Sequence, residues 1–177
     1  DRQQSENRKQ TEVKRLKKRI ELQKEINKRA DIEARKIMLV SQSEQDELTK
    51  IYNRRGIKRH VGAKFKETQQ LQKSFSIAIV DVDYFKEYND TYGHPAGDNI
   101  LQTIAQILEE SVSKAGIVGR YGGDEFLIAI AQRNSEEVEQ IICCIREKLK
   151  QKAIKNRRST VSEYVTVSIL SLIHISE

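Results

Sequence analysis

The sequence predicts an α/β domain in which helices flank a mixed sheet, with one long helix in front of it. Three observations support this prediction. Residues 1–45 contain no Gly or Pro and are rich in Lys, Arg, Glu and Gln, which favours an uninterrupted helix. After them, segments with helical periodicity alternate with short, β-rich apolar runs. Two such runs within residues 116–131 flank a glycine pair, as in a hairpin. This order is typical of an α/β sandwich of ferredoxin-like or polymerase-palm-like type.

The long helix, residues 1–45, carries a stripe of residues spaced three to four apart. One interpretation is a solvated helix with a chance stripe. The other is a parallel coiled coil that joins two copies into a homodimer, in which polar Gln23 and Asn27 weaken the seam but could set its register. The stripe consists of Val13, Leu16, Ile20, Gln23, Asn27, Ala30, Ala34 and Ile37.

The net charge of +6 lies almost wholly in this helix, where 13 Lys and Arg oppose 8 Asp and Glu. The rest of the chain is nearly neutral, which argues against nucleic-acid binding by the globular part. A third interpretation makes the helix itself a nucleic-acid or membrane-surface binder. The helix lacks interleaved aromatic residues and a strong apolar face, so we expect no nucleic-acid partner.

The sequence shows no apolar run long enough to span a bilayer and no signal-peptide pattern. Its two cysteines, Cys143 and Cys144, are adjacent within a helical pattern, so we interpret them as reduced and structural. We therefore expect a cytoplasmic domain. The chain begins with Asp1 rather than Met, so we expect a fragment whose parent has an upstream sensor domain, with a membrane anchor upstream left open.

Residues 43–57, SEQDELTKIYNRRGI, interrupt the stripe of the long helix. Ser43 or Asp46 is the expected cap of a further helix, which we place over about residues 55–72. Residues 74–83, SFSIAIVDVD, are a short β-rich apolar run bounded by polar residues. This run predicts a buried strand that ends in two aspartates.

The second half of the chain repeats the alternation. Residues 96–112 place their apolar side chains on one helical face. After the hairpin, residues 135–152 predict another helix with Ser135 as its N-cap. Residues 163–170, EYVTVSIL, predict the last strand.

Three carboxylates are candidates for one site. Asp81 closes the buried strand, while Asp124 and Glu125 lie on the hairpin, and a strand end and a hairpin tip can be neighbours in such a sheet. Unpaired carboxylates held together are costly, but Mg²⁺ favours oxygen ligands of this kind. Two metal ions held in this way can clamp a nucleoside triphosphate for displacement at phosphorus. The alternative, solvated turn carboxylates, is the better interpretation of DVD taken alone.

The stretch DVDYFKEYNDTYGHPAGDNIL contains polar residues in a compact helix–loop–helix. An Asn and an Asp together can read a guanine edge, because the carboxylate accepts from N1–H and N2–H₂ while the amide serves the O6 or N3 side. A histidine alone is more often structural than a ligand. The polar and glycine residues of this stretch are Asn89, Asp90, Gly93, His94, Gly97 and Asp98.

Three blocks of the chain, in order and spacing, resemble the GGDEF domains, which are bacterial diguanylate cyclases. DELTKIYNRR, residues 46–55, is similar to the family's D-x-L-T-x-x-x-N-R-R. DVDYFKEYNDTYGHPAGD occupies residues 81–98, and RYGGDEF occupies residues 120–126. A five-letter match would be weak, but three blocks in register are specific. The resemblance covers about residues 46–169, within an expected domain of residues 46–170.

The resemblance implies a role for each matching residue. Asp81, the Val82 carbonyl and Glu125 are implied as ligands of Mg²⁺, two ions per active site, with Mn²⁺ as an alternative. Asp124 is assigned to the metal or to general-base work on the ribose 3′-hydroxyl, so that Asp124 and Glu125 are the catalytic pair. The implied substrate-binding set, which reads guanine or approaches the phosphates and the nucleotide, is Phe85, Lys86, Asn89, His94, Asp98, Gly122 and Gly123.

The implied reaction joins two GTP into cyclic di-GMP and releases pyrophosphate. Each domain holds one GTP, so two domains must face each other, and the long helix would pair them. A second hypothesis is a non-catalytic GGDEF-type module that binds GTP or partner proteins. The intact carboxylate pair speaks against that hypothesis, because a binding module has no need of both.

The chain departs from the family pattern in two places. Ser113 and Gly116 stand where many members carry the Arg and Asp of a product-inhibition site, so we expect no feedback inhibition there. Leu170 stands where the family has Gly, and residues 171–177 follow as a non-family tail. We therefore expect a domain truncated at its C-terminus, with a bare sheet face, an incomplete phosphate grip and little activity.

Overall fold

The computed structural model describes the backbone of residues 2–112 and 116–174. The chain divides into two units, residues 1–43 and 44–177, which are described separately. The first unit is one helix of 41 residues, α1, Arg2–Gln42, as predicted. Every side chain described within it, residues 14–39, is exposed. In the described part of the chain, no helix is both long and apolar enough to cross a membrane.

The second unit confirms the predicted order of one helix, a strand, two helices, a hairpin, a helix and a strand. Its elements are α2 (Arg54–Gln70), β1 (Phe75–Val82), α3 (Phe85–Tyr92), α4 (His94–Val112), β2 (Gly116–Gly122), β3 (Glu125–Ala131), α5 (Ser135–Lys152) and β4 (Val167–His174).

One four-stranded sheet has the order β2-β3-β1-β4. The three pairings between these strands are antiparallel, and a parallel contact occurs in the isolated bridge between Tyr52 and Gly119. Central β1 therefore has β3 on one side and β4 on the other. This strand order, with helical connections after β1 and β3, is the ferredoxin-like arrangement that the sequence predicted.

The sheet buries its two faces against different helices. Even-numbered β1 residues such as Val80 point to the larger core, where Leu108 of α4 and Ile145 of α5 are fully buried. Odd-numbered Phe75 lies in a smaller core, with Phe65 of α2 packed edge-on against its ring. The period of two along β1 thus assigns each helix to one face, and burial of each large apolar side chain contributes about 1.5–3 kcal/mol.

Two predicted helix caps were wrong. Helix α2 begins after Asn53, whose side chain accepts from Arg55 N and Gly56 N, rather than after Ser43 or Asp46. Asp46 instead accepts from Thr49 N and Oγ1, so it caps a turn. The prediction failed because the residue type that caps a helix also closes an Asx-type turn.

Helix α5 is capped by Asn134 rather than Ser135, the other cap that the sequence placed wrongly. The Asn134 side chain accepts from Glu137 N, and the Glu137 carboxylate accepts from Asn134 N, which together form a capping box. Ser135 is the first helical residue. The box needs Glu three residues after the cap, and only Asn134 has that spacing here.

Strand β4 extends beyond the predicted end at residue 170. It continues to His174, which lies opposite Phe75 of β1, while Ser171 lies opposite Ala78. The strand begins later than predicted, at Val167. Residues 171–174, predicted as a tail outside the domain, therefore belong to the sheet, since their own apolar and β-branched side chains continue the strand.

Candidate active site

Antiparallel pairing of β1 with β3 brings the candidate carboxylates to one edge of the sheet. Asp81, next to last in β1, lies directly opposite Glu125, the first residue of β3. Asp124 belongs to the two-residue connection, Gly123 and Asp124, between β2 and β3. The end of β1 and the tip of the β2–β3 hairpin are therefore neighbours, as predicted, because the β1–β3 register places Asp81 opposite Glu125.

The electrostatics of Asp81 report this crowding. Partial burial raises the pKa of Asp81, and the negative charges of Asp124, Glu125 and Asp83 raise that pKa further. A carboxylate under these conditions is destabilised when ionised, because it loses water and gains like-charged neighbours. A cation at this edge would relieve both penalties.

The fit to a metal ion is partial. Among the side chains that the structure describes, those of residues 14–39, 43–112 and 116–171, no three Asp, Glu, His or Cys are grouped tightly enough to hold an ion as they stand. The three carboxylates are neighbours, but they do not form a ready-made cage of three ligands. Asp81 and Glu125, with the Val82 carbonyl at the end of the same strand, are a smaller oxygen set. Oxygen atoms of this kind are ligands that a divalent cation accepts, and a cation there would offset the burial and like charges that raise the pKa of Asp81.

The glycine pair keeps the hairpin tip open. A Cβ on Gly122 or Gly123 would meet no protein atom within 4 Å, so neither glycine is required by packing. Gly123 has φ of +53°, a conformation that favours glycine. The register shifts between Arg120 and Gly122, which leaves Tyr121 as an extra residue in β2. The tip therefore has a bulged strand on one side and free space above it.

Arg120 holds this tip, a role that the sequence analysis missed. Its Nε and Nη2 donate to the Gly123 carbonyl at 2.9 and 2.7 Å, and its Nη1 reaches Asp46 Oδ1 at 3.3 Å. Burial alone would raise the pKa of Asp46, but hydrogen bonds from Thr49 and the Arg120 charge lower it from its ordinary value. One guanidinium thus links the first sequence block to the third.

The turn from β1 into α3 presents backbone N–H groups. Tyr84 precedes α3 with φ of +57°, and no side chain caps the helix. Phe85 and Lys86 are its first two residues. The first N–H groups of a helix have no partner within it, and they favour an anion.

The predicted base-reading residues lie on α3 and α4. Asn89 is half-buried within α3 and lies against Gly97 of α4. Asp98, the next residue after Gly97, and His94, at the start of α4, are exposed. Asn89 and Asp98 are therefore brought to neighbouring positions, whereas the structure gives His94 no contact that would distinguish it as a ligand.

Asp83 has a structural role at the same edge. Its carboxylate accepts from Thr166 Oγ1 and from Ser168 Oγ, both at 2.6 Å, and its backbone N donates to Thr166 O. Asp83 therefore ties the end of β1 to β4. Of the two aspartates in DVD, Asp81 is available to the candidate site, whereas the Asp83 carboxylate is used in hydrogen bonds that hold β4.

Comparisons with known proteins show which family the chain is similar to. A family model described as "Diguanylate cyclase, GGDEF domain" matches residues 43–175. The diguanylate cyclase DosC of Escherichia coli K12 is 36% identical over 110 residues, which is 62% of this chain and 24% of that protein. The chain thus matches about a quarter of that relative's length.

Solved structures give the same result. The diguanylate cyclase SiaD of Pseudomonas aeruginosa, solved in complex with its activator SiaC, superposes with a TM-score of 0.74 at 28% identity and covers 98% of this chain and 66% of that one. The GGDEF domain of DgcB from Caulobacter crescentus, solved with c-di-GMP, gives a TM-score of 0.67 at 27% identity over 74% of this chain and 77% of that one. The chain belongs to the GGDEF family of diguanylate cyclase domains.

Proposed function

We propose that this domain condenses two GTP molecules into cyclic di-GMP and pyrophosphate, with Mg²⁺ bound at the Asp81 edge. The observation that supports this most is the pairing of Asp81 with Glu125 beside an open glycine tip, where crowding raises the pKa of Asp81. Mn²⁺ is an alternative ion. When bound, the ion neutralises phosphate charge as the bond to phosphorus forms and the leaving group departs.

Each residue of the candidate site has its own role in this proposed reaction. Asp81, Glu125 and the Val82 carbonyl hold the cation, and the N–H groups of Phe85 and Lys86 meet the phosphates. Asn89 and Asp98 read guanine. Asp124, in the hairpin connection, is placed to accept the proton of the ribose 3′-hydroxyl or to assist the cation. Gly122 and Gly123 leave room for the nucleotide.

Two domains must face each other, and we propose that α1 pairs them. The stripe residues Leu16 and Ile20 are 53% and 56% exposed, so these apolar side chains are accessible to a partner helix. Gln23 Nε2 donates to Asn27 Oδ1 at 3.1 Å, so the polar seam positions satisfy each other in part. A sensor elsewhere in the parent protein would act by changing this pairing.

The direct test is incubation with GTP and Mg²⁺ and chromatography for cyclic di-GMP. Asp81→Asn should abolish product, and Asp90→Asn, an exposed aspartate of α3, is the matched control that should retain it. The alternative function, a module that binds GTP or a partner without turnover, would show GTP binding and no product in any variant, even at protein concentrations and incubation times that detect the little activity expected from the sequence. Equal product from Asp81→Asn would overturn the proposed cation site.

A further inference from the structure

Asn89 and Gly97 lie against each other where α3 meets α4. A Cβ added to Gly97 would overlap Asn89 Oδ1 and would lie 2.9 Å from Asn89 Cγ and 3.1 Å from Phe85 Cζ. Two of these atoms belong to one planar amide, so the amide as a whole would have to move. Gly97 has no unusual backbone conformation, and the close approach is therefore the reason for glycine.

The same contact fixes which way the amide points. Asn89 Oδ1 is one of three buried side-chain N or O atoms that have no hydrogen-bond partner in the described residues. Either amide atom would lack a conventional partner beside Gly97, but an oxygen can accept a weak C–H contact there, whereas a nitrogen would leave its N–H groups without any acceptor. Asn89 Nδ2 is not among the buried unpaired atoms, and the described structure gives it no partner. It therefore faces the open side.

We propose that Gly97 is a positioning residue for base selection, since it leaves the space that holds the Asn89 amide with its nitrogen directed outward as a donor. The proposal rests on the proposed function, in which Asn89 and Asp98 read guanine. An outward donor at Asn89 and a carboxylate at Asp98 match a base edge with both acceptors and N–H donors, as in guanine. Adenine has neither N1–H nor N2–H₂, so the carboxylate would lose the two adjacent donors that guanine offers it.

The test is equilibrium binding of GTP and ATP in the presence of Mg²⁺, which needs no turnover. Gly97→Ala should lower the preference for GTP over ATP by about tenfold or more, the factor that one good base contact provides. Asn89→Ala should lower the preference similarly. In the double variant the added Cβ no longer meets the amide and keeps only its contact with the Phe85 ring, so Gly97→Ala should have a much smaller further effect.

Two controls make the result decisive. Gly62→Ala adds a Cβ to α2 where no atom lies within 4 Å, and it should leave GTP preference unchanged. Thermal melting shows whether Gly97→Ala is folded, and the double variant restores space if it is not. An unchanged preference in folded Gly97→Ala, or an equal loss with and without Asn89, would overturn the positioning role. A wild-type chain without preference for GTP would overturn the proposed function itself.

Discussion

At the scale of single residues, Asp81 is a carboxylate that burial and like-charged neighbours destabilise when it is ionised. Its pKa is raised in the folded state, so the folded protein holds this proton more tightly than the unfolded chain. Stability from this group is therefore lost as pH rises through the window between its ordinary and its raised pKa. Asp81→Asn should melt at a higher temperature than wild type at neutral pH without metal, and the difference should vanish in acid.

Asp83→Asn is the matched variant for that measurement. Asp83 accepts from two hydroxyls of β4, so its substitution should lower the melting temperature. The loss should correspond to about 1–3 kcal/mol, as for hydrogen bonds to a charged group. If both aspartate variants moved the melting temperature in the same direction, the assignment of one to the site and one to the fold would be wrong.

Arg120 provides a second prediction at this scale. Arg120→Lys keeps the charge but loses the planar fork that grips the Gly123 carbonyl while reaching Asp46. We expect kcat to fall by at least about tenfold with a smaller change in GTP affinity, because the tip carrying Asp124 would be less well placed. Steady-state kinetics beside a binding isotherm would check this. A change in KM alone would contradict it.

The carboxylates of the site could be predicted from the sequence because Asp124 and Glu125 are adjacent in the chain. The contact between Arg120 and Asp46 spans 74 residues, and no local pattern reports it. The sequence shows that residue 97 is a glycine, but the need for a glycine there comes from the close approach of Asn89, which lies on another helix. Local chemistry thus identified the candidate ligands, whereas the contacts of Arg120 and Gly97 could be found only in the fold.

At the scale of elements, the sequence predicted the order of the helices and strands of the second unit but not all of their ends. The sequence placed the end of β4 at residue 170, because the resemblance to the family ended there, while the strand itself continues to His174. Helix ends failed at Asn53 and Asn134 for a different reason. Several neighbouring polar residues are able to cap a helix, and the one that does so is the one whose side chain reaches the free N–H groups of the first turn.

Helix α1 gives a prediction that separates a seam from a chance stripe. Ile20 belongs to the stripe and Leu22 does not, although their side chains are similarly exposed, at 56% and 58%. The variants Ile20→Asp and Leu22→Asp therefore form a matched pair. If α1 pairs two copies, Ile20→Asp should shift a dimer to monomer in sedimentation, because it buries a charge in the seam. Leu22→Asp should leave the dimer intact. Identical behaviour of the two variants would support a solvated helix.

At the scale of the whole molecule, the sheet is covered unevenly. Helix α2 packs against β2 and β3. On the same face but toward β4, Ile79 and Leu170 lie directly opposite each other and are 48% and 75% exposed. The bare face expected from the sequence is therefore present at this pair. The larger core lies on the opposite face of β1 and does not include this pair.

This exposed pair predicts that solubility and stability can be changed separately. Ile79→Thr with Leu170→Thr should reduce binding of a hydrophobic dye and concentration-dependent aggregation, because an apolar patch on a strand pair becomes polar while β propensity is retained. Its free energy of unfolding should change by less than about 1 kcal/mol, since little buried area is lost.

The control is Val80→Thr, at the next residue along β1, which is fully buried. It should destabilise by more than about 1 kcal/mol through an unpaired buried hydroxyl, with no gain in solubility. A large loss of stability in the Ile79 and Leu170 variant would show that this face is packed in solution.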